Sequence, residues 1–256
     1  MPASPATAGD GLLTGVGVGP GDPELITTRA LRVLRGADRV VAPTIAPDAL
    51  GRAESVVREA LPELAVSRVV FAMAAPDGRG AGPAGDAAAA RAASHRAAAE
   101  ALLPWLDAGE HVAFVTLGDP NVYSTFSSLA PAVRALRPRL RVETVPGVMA
   151  FQDLAARAET VLLDGDQELT LLTALDGTTS LERALRDPER AVVVYKGGRH
   201  LPAIAAALAG AGRLQGTVMG ELLGLPGERV CPLSEAAERP ASYLATVVVP
   251  PAGRSR

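Results

Sequence analysis

Short apolar runs of five or six residues recur along this chain with helical stretches between them, and that alternation restricts the fold more than any other feature. Leu12 to Gly17 has the length and apolarity of a buried strand. Asp22-Pro23-Glu24 follows as a helix start, with Asp as N-cap and Pro at the first helical position. Leu25, Ile26, Ala30, Val33 and Leu34 then share one helical face. Asp38 to Ala42 reads as a second strand, Ala49 to Ala60 as a helix, Val66 to Phe71 as a third strand and Asp86 to Leu106 as an Ala-rich helix. Val112 to Thr116 and Arg141 to Val145 are the next strands, with a helix opened by Asp119-Pro120 running between them to about Leu136. Such alternation points to βα units and an α/β fold with a mainly parallel N-terminal sheet.

Pro146-Gly147 interrupts the pattern before a short helix at Met149 to Arg157. Beyond it, Leu169 to Ala174, Ala191 to Tyr195, Gly216 to Gly220, Arg229 to Pro232 and Tyr243 to Val249 read as strands, with helices near Thr179 to Leu185 and Leu201 to Leu208. This half is smaller, and its strand directions are expected to be mixed. The expected organisation is a flexible N-terminus at 1–10, an N-terminal α/β domain at 11–146, a C-terminal α/β domain at 147–251 and a flexible tail at 252–256. Ala72 to Gly85 is too long and too rich in Gly and Pro for a routine connection, and reads as a lid or an insertion.

Composition then excludes several classes. The 256 residues include 26 Gly and 21 Pro, above the usual share but short of a low-complexity chain, so a folded protein with a sizeable core is expected. A net charge of −3 gives no global attraction to a polyanion and argues against a nucleic-acid partner. Lys196 is the only lysine among 25 basic residues; this reads as a compositional habit, or else as a preference for the planar Arg fork at carboxylates. Cys231 stands alone, so no internal disulfide forms, which suits the cytoplasm. Met1 to Asp10 has neither the basic start nor the apolar stretch of a signal peptide, and no run of about 18 apolar residues occurs, so neither export nor a membrane span is expected. His95, His111 and His200 lack ligand spacing, and no metal site is expected.

The loop Gly15-Val16-Gly17-Val18-Gly19-Pro20-Gly21-Asp22 invites a dinucleotide reading but fails its spacing. Counting from Gly15 and Gly17 the third glycine position is Pro20, and counting from Gly17 and Gly19 it is Asp22. A P-loop fails too, since Lys196 is followed by Gly197. Two readings of the glycines stay open: a tight strand-to-helix turn, or close approach of a ligand to bare main chain at the carboxyl end of a strand. Leu117-Gly118-Asp119-Pro120 repeats the pattern, and two such loops at one sheet edge would form a pocket. Asp119 reads either as a helix cap or as a ligand contact. Lys196-Gly197-Gly198-Arg199-His200 reads either as a solvated loop or as an anion clamp.

Four segments in order carry a resemblance: Val16 to Pro23; Gly118-Asp119-Pro120 with Val122-Tyr123-Ser124-Thr125; Val145-Pro146-Gly147-Val148; and Thr246-Val247-Val248-Val249. Together they resemble the tetrapyrrole methylases, S-adenosylmethionine-dependent enzymes of cobalamin and sirohaem synthesis, over about Gly11 to Pro250. Tyr123-Ser124-Thr125-Phe126 and Gly198-Arg199-His200-Leu201-Pro202 are similar to the branch that methylates precorrin-2, or cobalt-factor II, at C20. The resemblance implies two α/β domains with the active site in the cleft between them, S-adenosylmethionine as methyl donor, a tetrapyrrole substrate and a homodimer. Cofactor contacts are implied at Pro20, Gly118, Asp119, Val122, Met149, Ala150, Lys196, Leu223, Ala245 and Thr246, many of them through backbone atoms. Substrate contacts are implied at Tyr123, Ser124 and Arg199, with Arg29 and His200 as further candidates for the substrate carboxylates.

One departure matters. Related uroporphyrinogen methylases carry a Tyr-Asp pair after the second strand and a Met where this chain has Lys196; here Val41-Ala42-Pro43-Thr44 supplies no titratable group, so no catalytic base is assigned. Rival readings are a methylase acting on another ring carbon or another substrate, a non-catalytic tetrapyrrole-binding homologue, and a phosphate-ligand enzyme on a doubly wound sheet.

Overall fold

Each apolar run of the first half becomes a strand of one sheet. The computed structural model describes residues 11–71 and 84–253, and the chain divides after Val148 into two units. In the first unit β1 (Leu12–Gly17), β2 (Arg39–Thr44), β3 (Val66–Val70), β4 (His111–Thr116) and β5 (Arg141–Val145) pair in parallel, in the order β3-β2-β4-β1-β5. Helix α1 (Thr28–Gly36) joins β1 to β2, α2 (Arg52–Ala60) joins β2 to β3, α3 (Ala84–Asp107) precedes β4, and α4 (Phe126–Leu136) joins β4 to β5. Expectations for residues 1–10, 72–83 and 254–256 lie outside the described residues. The helix after them starts at Ala84, so positions 84–85 belong to it and not to a loop.

The strand order sets where a ligand can bind. β1 and β4 are neighbours, yet from β1 the chain departs toward β2 and from β4 it departs toward β5, on opposite sides of the pair. Right-handed crossovers put α1 and α2 on one face and α3 and α4 on the other, where α3 and α4 pack together. The carboxyl ends of β1 and β4 are therefore a topological switch point, the place where open α/β sheets leave a crevice. Beneath it the core closes around a chain of rings, Phe71 to Phe114 at 5.8 Å and Phe114 to Phe126 at 6.0 Å between centroids. Gly15 gives Phe126 its place, since a Cβ there would stand 2.5 Å from the ring.

Both Asp-Pro pairs behave differently from the expectation that they open α-helices. Asp22 caps a single 3-10 turn, Pro23–Leu25, accepting from Glu24 N at 2.8 Å, and Ile26 then returns to extended backbone. The α-helix starts afresh at Thr28, with Thr27 Oγ1 accepting from Ala30 N at 3.1 Å. Asp119-Pro120 likewise opens a turn, and α4 starts only at Phe126. Gly118 at φ 65° and Tyr123 at φ 48° are left-handed, and no α-helix continues through such a residue.

In the second unit α5 (Ala150–Arg157) leads to β6 (Leu169–Thr173), α6 (Thr179–Ala184), β7 (Ala191–Tyr195), α7 (Leu201–Gly210), β8 (Val218–Glu221), β9 (Arg229–Pro232) and β10 (Thr246–Val249). The sheet order is β6-β7-β10-β8-β9, with β6 and β7 parallel and the other pairs antiparallel. Strand alternation divides its core. Val192, Val194, Val247 and Val249 face one cluster with Leu181, Ile204 and Leu208, while Val193, Tyr195 and Val248 face another with Leu154 and Leu223. The last strand starts at Thr246 instead of Tyr243 because the chain is still turning there, with Ala245 N bonded to Ser242 O at 2.9 Å.

Candidate functional site

At the carboxyl edge of the first sheet, the loops after β1, β4 and β5 meet main chain to main chain. Gly118 N donates to Gly19 O at 2.8 Å, tying the second loop to the first. Asp119 ties the second to the third: its Oδ1 accepts from Asn121 N at 2.8 Å and its Oδ2 from Gly147 N at 3.2 Å. Asp119 is thus a clasp between turns, and the helix-cap alternative does not hold. Capping of α4 falls to Ser124, whose Oγ accepts from Ser127 N at 3.2 Å and donates to Pro120 O. The single hydroxyl proton of Ser124 is thereby engaged within the turn that presents Tyr123.

The glycines divide into two kinds. A Cβ on Gly17 would lie 2.4 Å from Gly118 O, and one on Gly147 would lie 2.2 Å from the same oxygen. These two are small because another stretch of main chain occupies the space, so of the two readings left open for the loop glycines the tight turn holds at Gly17. Gly118 is the other kind: it is left-handed and, among the described residues, no atom outside its chain neighbours lies within 4 Å of where its Cβ would be. Pro20 is buried beside this contact, while Val122 is half-buried and Tyr123 is exposed. Arg29 lines a cleft of about 530 Å³ with Asn121 of the second loop, Arg134 and Thr144.

The second unit gathers its own candidates at one sheet edge. The carboxyl ends of β7 and β8 and the amino end of β10 coincide, with Thr246 paired to Tyr195 and to Gly220. Lys196 follows Tyr195, Leu223 follows β8, and Ala245 precedes Thr246, so register alone brings them together. Met149 and Ala150, at the start of α5, pack against the cluster that holds Tyr195 and Leu223. Tyr195 Oη accepts from Phe151 N at 3.1 Å and so fixes the first turn of α5 to the sheet. Sequence reasoning missed Tyr195; a phenol closing an otherwise aliphatic, buried strand needs a hydrogen-bond partner, and that was the available signal.

Backbone strain marks the same places. Among the described residues four non-glycine positions have positive φ, and of these Tyr123, Lys196 and Leu222 lie on or beside the candidate contacts. Lys196 Nζ stands 5.6 Å from the centre of the Tyr243 ring. Arg199 donates Nε to His200 Nε2 at 3.0 Å and a second N–H to Leu175 O, leaving part of its five-donor fork to face outward. After β2, Thr44 Oγ1 lies 2.8 Å from the carbonyls of both Ala46 and Ala49. That hydroxyl is spent on its own loop.

The family whose sequence pattern matches residues 12–237 is Tetrapyrrole (Corrin/Porphyrin) Methylases. This chain belongs to the tetrapyrrole methylases. The precorrin-2 C(20)-methyltransferase of Sinorhizobium sp is 35% identical to this methylase over 245 residues, covering 94% of this chain and 96% of that one. The cobalt-precorrin-2 C(20)-methyltransferase of Salmonella typhimurium is 33% identical over 242 residues, again covering 94% and 96%. Among solved structures, a cobalamin synthesis related protein from Corynebacterium diphtheriae shares the fold at a TM-score of 0.69 and 19% identity, covering 94% of this chain and 98% of that one. The uroporphyrin-III C-methyltransferase of Thermus thermophilus, solved with S-adenyl homocysteine, has a TM-score of 0.63 at 23% identity, covering 94% and 92%. The expected two-part α/β architecture stands, with a parallel first sheet and a mixed second one.

Proposed function

We propose that this tetrapyrrole methylase transfers a methyl group from S-adenosylmethionine to C20 of precorrin-2 or of its cobalt-containing counterpart. The observation that carries the reading is the 35% identity to a precorrin-2 C(20)-methyltransferase across nearly the whole of both chains. The donor supplies an electrophilic methyl group on a sulfonium centre. Its fit is supported by Gly118, where bare main chain borders open space at the switch point.

In this reading Pro20, Gly118, Asp119 and Val122 hold the donor from the first unit, and Met149, Ala150, Lys196, Leu223, Ala245 and Thr246 from the second. Asp119 acts by fixing the three turns, and Tyr195 by fixing the start of α5. Tyr123, presented by the Ser124 turn, and Arg199 meet the acidic side chains of the macrocycle. Placement is the main contribution of the protein: holding two reactants in near-attack geometry removes roughly 7–11 kcal/mol of a barrier. A general base contributes roughly 10²–10⁴-fold, so a site without one in the usual position still works. The reading includes a cytoplasmic homodimer. Cys231, which forms no disulfide, supports the reducing compartment, and sedimentation velocity tests the dimer.

The test is incubation with S-adenosylmethionine and, in parallel, precorrin-2 and cobalt-factor II, with mass spectrometry and NMR of the products. One added methyl at C20, with many turnovers per chain, is expected from one of the two substrates. Methylation at another carbon, or binding without turnover, refutes the assignment.

A further inference from the structure

The turn between β8 and β9 is held in an uncommon shape by charged side chains that lie outside the proposed donor and substrate contacts. Leu222 at φ 55°, Gly224 at φ 67° and Gly227 at φ 89° are all left-handed, and a leucine adopts that backbone only when its surroundings enforce it. Leu225 N donates to Leu222 O at 2.8 Å within the turn, and the charged group bonded to its main chain is Glu228. One of its carboxylate oxygens, Oε2, accepts from Gly224 N; the other accepts from the Arg157 guanidinium at 2.8 Å. Arg157 Nε in turn donates to Asp153 Oδ1 at 2.8 Å, and the Asp153 side chain is 8% exposed. The relay therefore runs from the main chain beside Leu223 to the helix whose first turn carries Met149 and Ala150.

We propose that Glu228 and Arg157 are positioning residues for the methyl donor, acting through the Leu222–Leu225 turn on Leu223 and coupling that turn to α5. The proposal rests on the reading that Leu223, Met149 and Ala150 touch the donor. The Arg157–Glu228 pair, whose side chains are 31% and 33% exposed, adds little to global stability, so loss of Glu228 acts locally, whereas loss of Arg157 also unpairs the buried Asp153 carboxylate and lowers stability besides. A carboxylate that accepts both a backbone N–H and a guanidinium N–H defines the position of that backbone more tightly than either bond alone.

The test uses the full chain and S-adenosylhomocysteine as the probe. Dissociation constants are measured by calorimetry for the wild type, Glu228→Gln, Glu228→Ala, Arg157→Gln and the double variant Arg157→Gln/Glu228→Gln, together with melting temperatures and donor and tetrapyrrole KM values. Glu228→Ala is expected to weaken probe binding about tenfold, and Glu228→Gln less, since its amide oxygen still accepts from Gly224 N. The donor KM is expected to rise while kcat and the tetrapyrrole KM change by less than about twofold, and the double variant should be no worse than the poorer single one. Unchanged probe affinity in every variant overturns the relay. So does an equal loss for donor and tetrapyrrole accompanied by a lowered melting temperature. If the wild type itself does not bind the probe, the proposed function falls and the relay with it; if the wild type binds and the variants bind equally well, only the relay falls.

Discussion

Replacing Gly147 by Ala tests the three-loop contact most directly. The added Cβ would stand 2.2 Å from Gly118 O and 2.9 Å from Gly17 Cα, distances that real Cβ atoms do not show. Both neighbours are main chain within hydrogen-bonded turns, so neither can rotate away as a side chain would. Gly147 itself is not left-handed, and the cost is therefore one of packing and not of backbone preference. Restoring ordinary contact moves one loop by about 1 Å, which strains the Gly118–Gly19 and Asp119–Gly147 hydrogen bonds as well. Overpacking alone costs about 1–3 kcal/mol, and a strained hydrogen bond adds about 1 kcal/mol, so a loss near 3 kcal/mol is expected. At roughly 2–4 °C per kcal/mol for a chain of this size, that is a melting temperature lower by ~6–12 °C. Gly118→Ala is the control: its Cβ meets nothing, so only the left-handed cost of about 1–2 kcal/mol applies, but the methyl enters the open space and should weaken S-adenosylhomocysteine binding by more than tenfold. If Gly147→Ala melts within about 2 °C of the wild type, or if Gly118→Ala binds the probe normally, the division of the glycines into packed and open is wrong.

Asp119→Ala should weaken probe binding at least tenfold, because Asn121 N and Gly147 N lose a charged acceptor together; Asp119→Asn, which keeps one acceptor oxygen, should fall between, and equal calorimetric constants for all three proteins would dismiss the clasp. Tyr195→Phe leaves Phe151 N without its partner and should lower stability by about 1 kcal/mol in urea denaturation while raising the donor KM, an unchanged KM counting against a role for the start of α5. His111 has its pKa lowered, first by burial and then by Arg141, against the opposing pull of Asp38 and Glu143. The unfolded chain therefore takes up the proton first: stability is complete above about pH 6.5 and declines as pH falls through that value toward the lower folded pKa. His111→Gln should flatten the dependence of the urea midpoint over that window, and an unaltered slope would shift the effect to other groups.

The fold was legible because hydrophobic period and length survive any tertiary context. Arg141–Val145, Ala191–Tyr195 and Arg229–Pro232 form strands at the bounds their sequence suggests, each an apolar or alternating run closed by a turn residue or a charge. The Asp-Pro pairs misled for a physical reason. Asp as cap and Pro next to it satisfy the start of any tight turn of right-handed backbone, and whether that turn extends into an α-helix depends on the residues beyond it. After Asp22-Pro23 the backbone is extended again at Ile26 and α1 starts only at Thr28; after Asp119-Pro120 the left-handed Tyr123 intervenes. Neither is visible in the dipeptide itself.

The candidate site was legible to a different depth in its two halves. In the second unit, strand register was enough: once β7, β8 and β10 pair as they do, Lys196, Leu223 and Thr246 must share an edge. In the first unit the sequence marked the right loops but not their use. A glycine in a strand-to-helix loop is equally required where a ligand approaches and where a second main chain approaches, and sequence does not distinguish the two. The structure does, through the atom each missing Cβ would strike. Gly17 and Gly147 let the loops pack main chain to main chain, while Gly118, left-handed, leaves the space beside it open. A substitution at either kind should therefore reach donor binding, by disordering the loops in one case and by filling the space in the other.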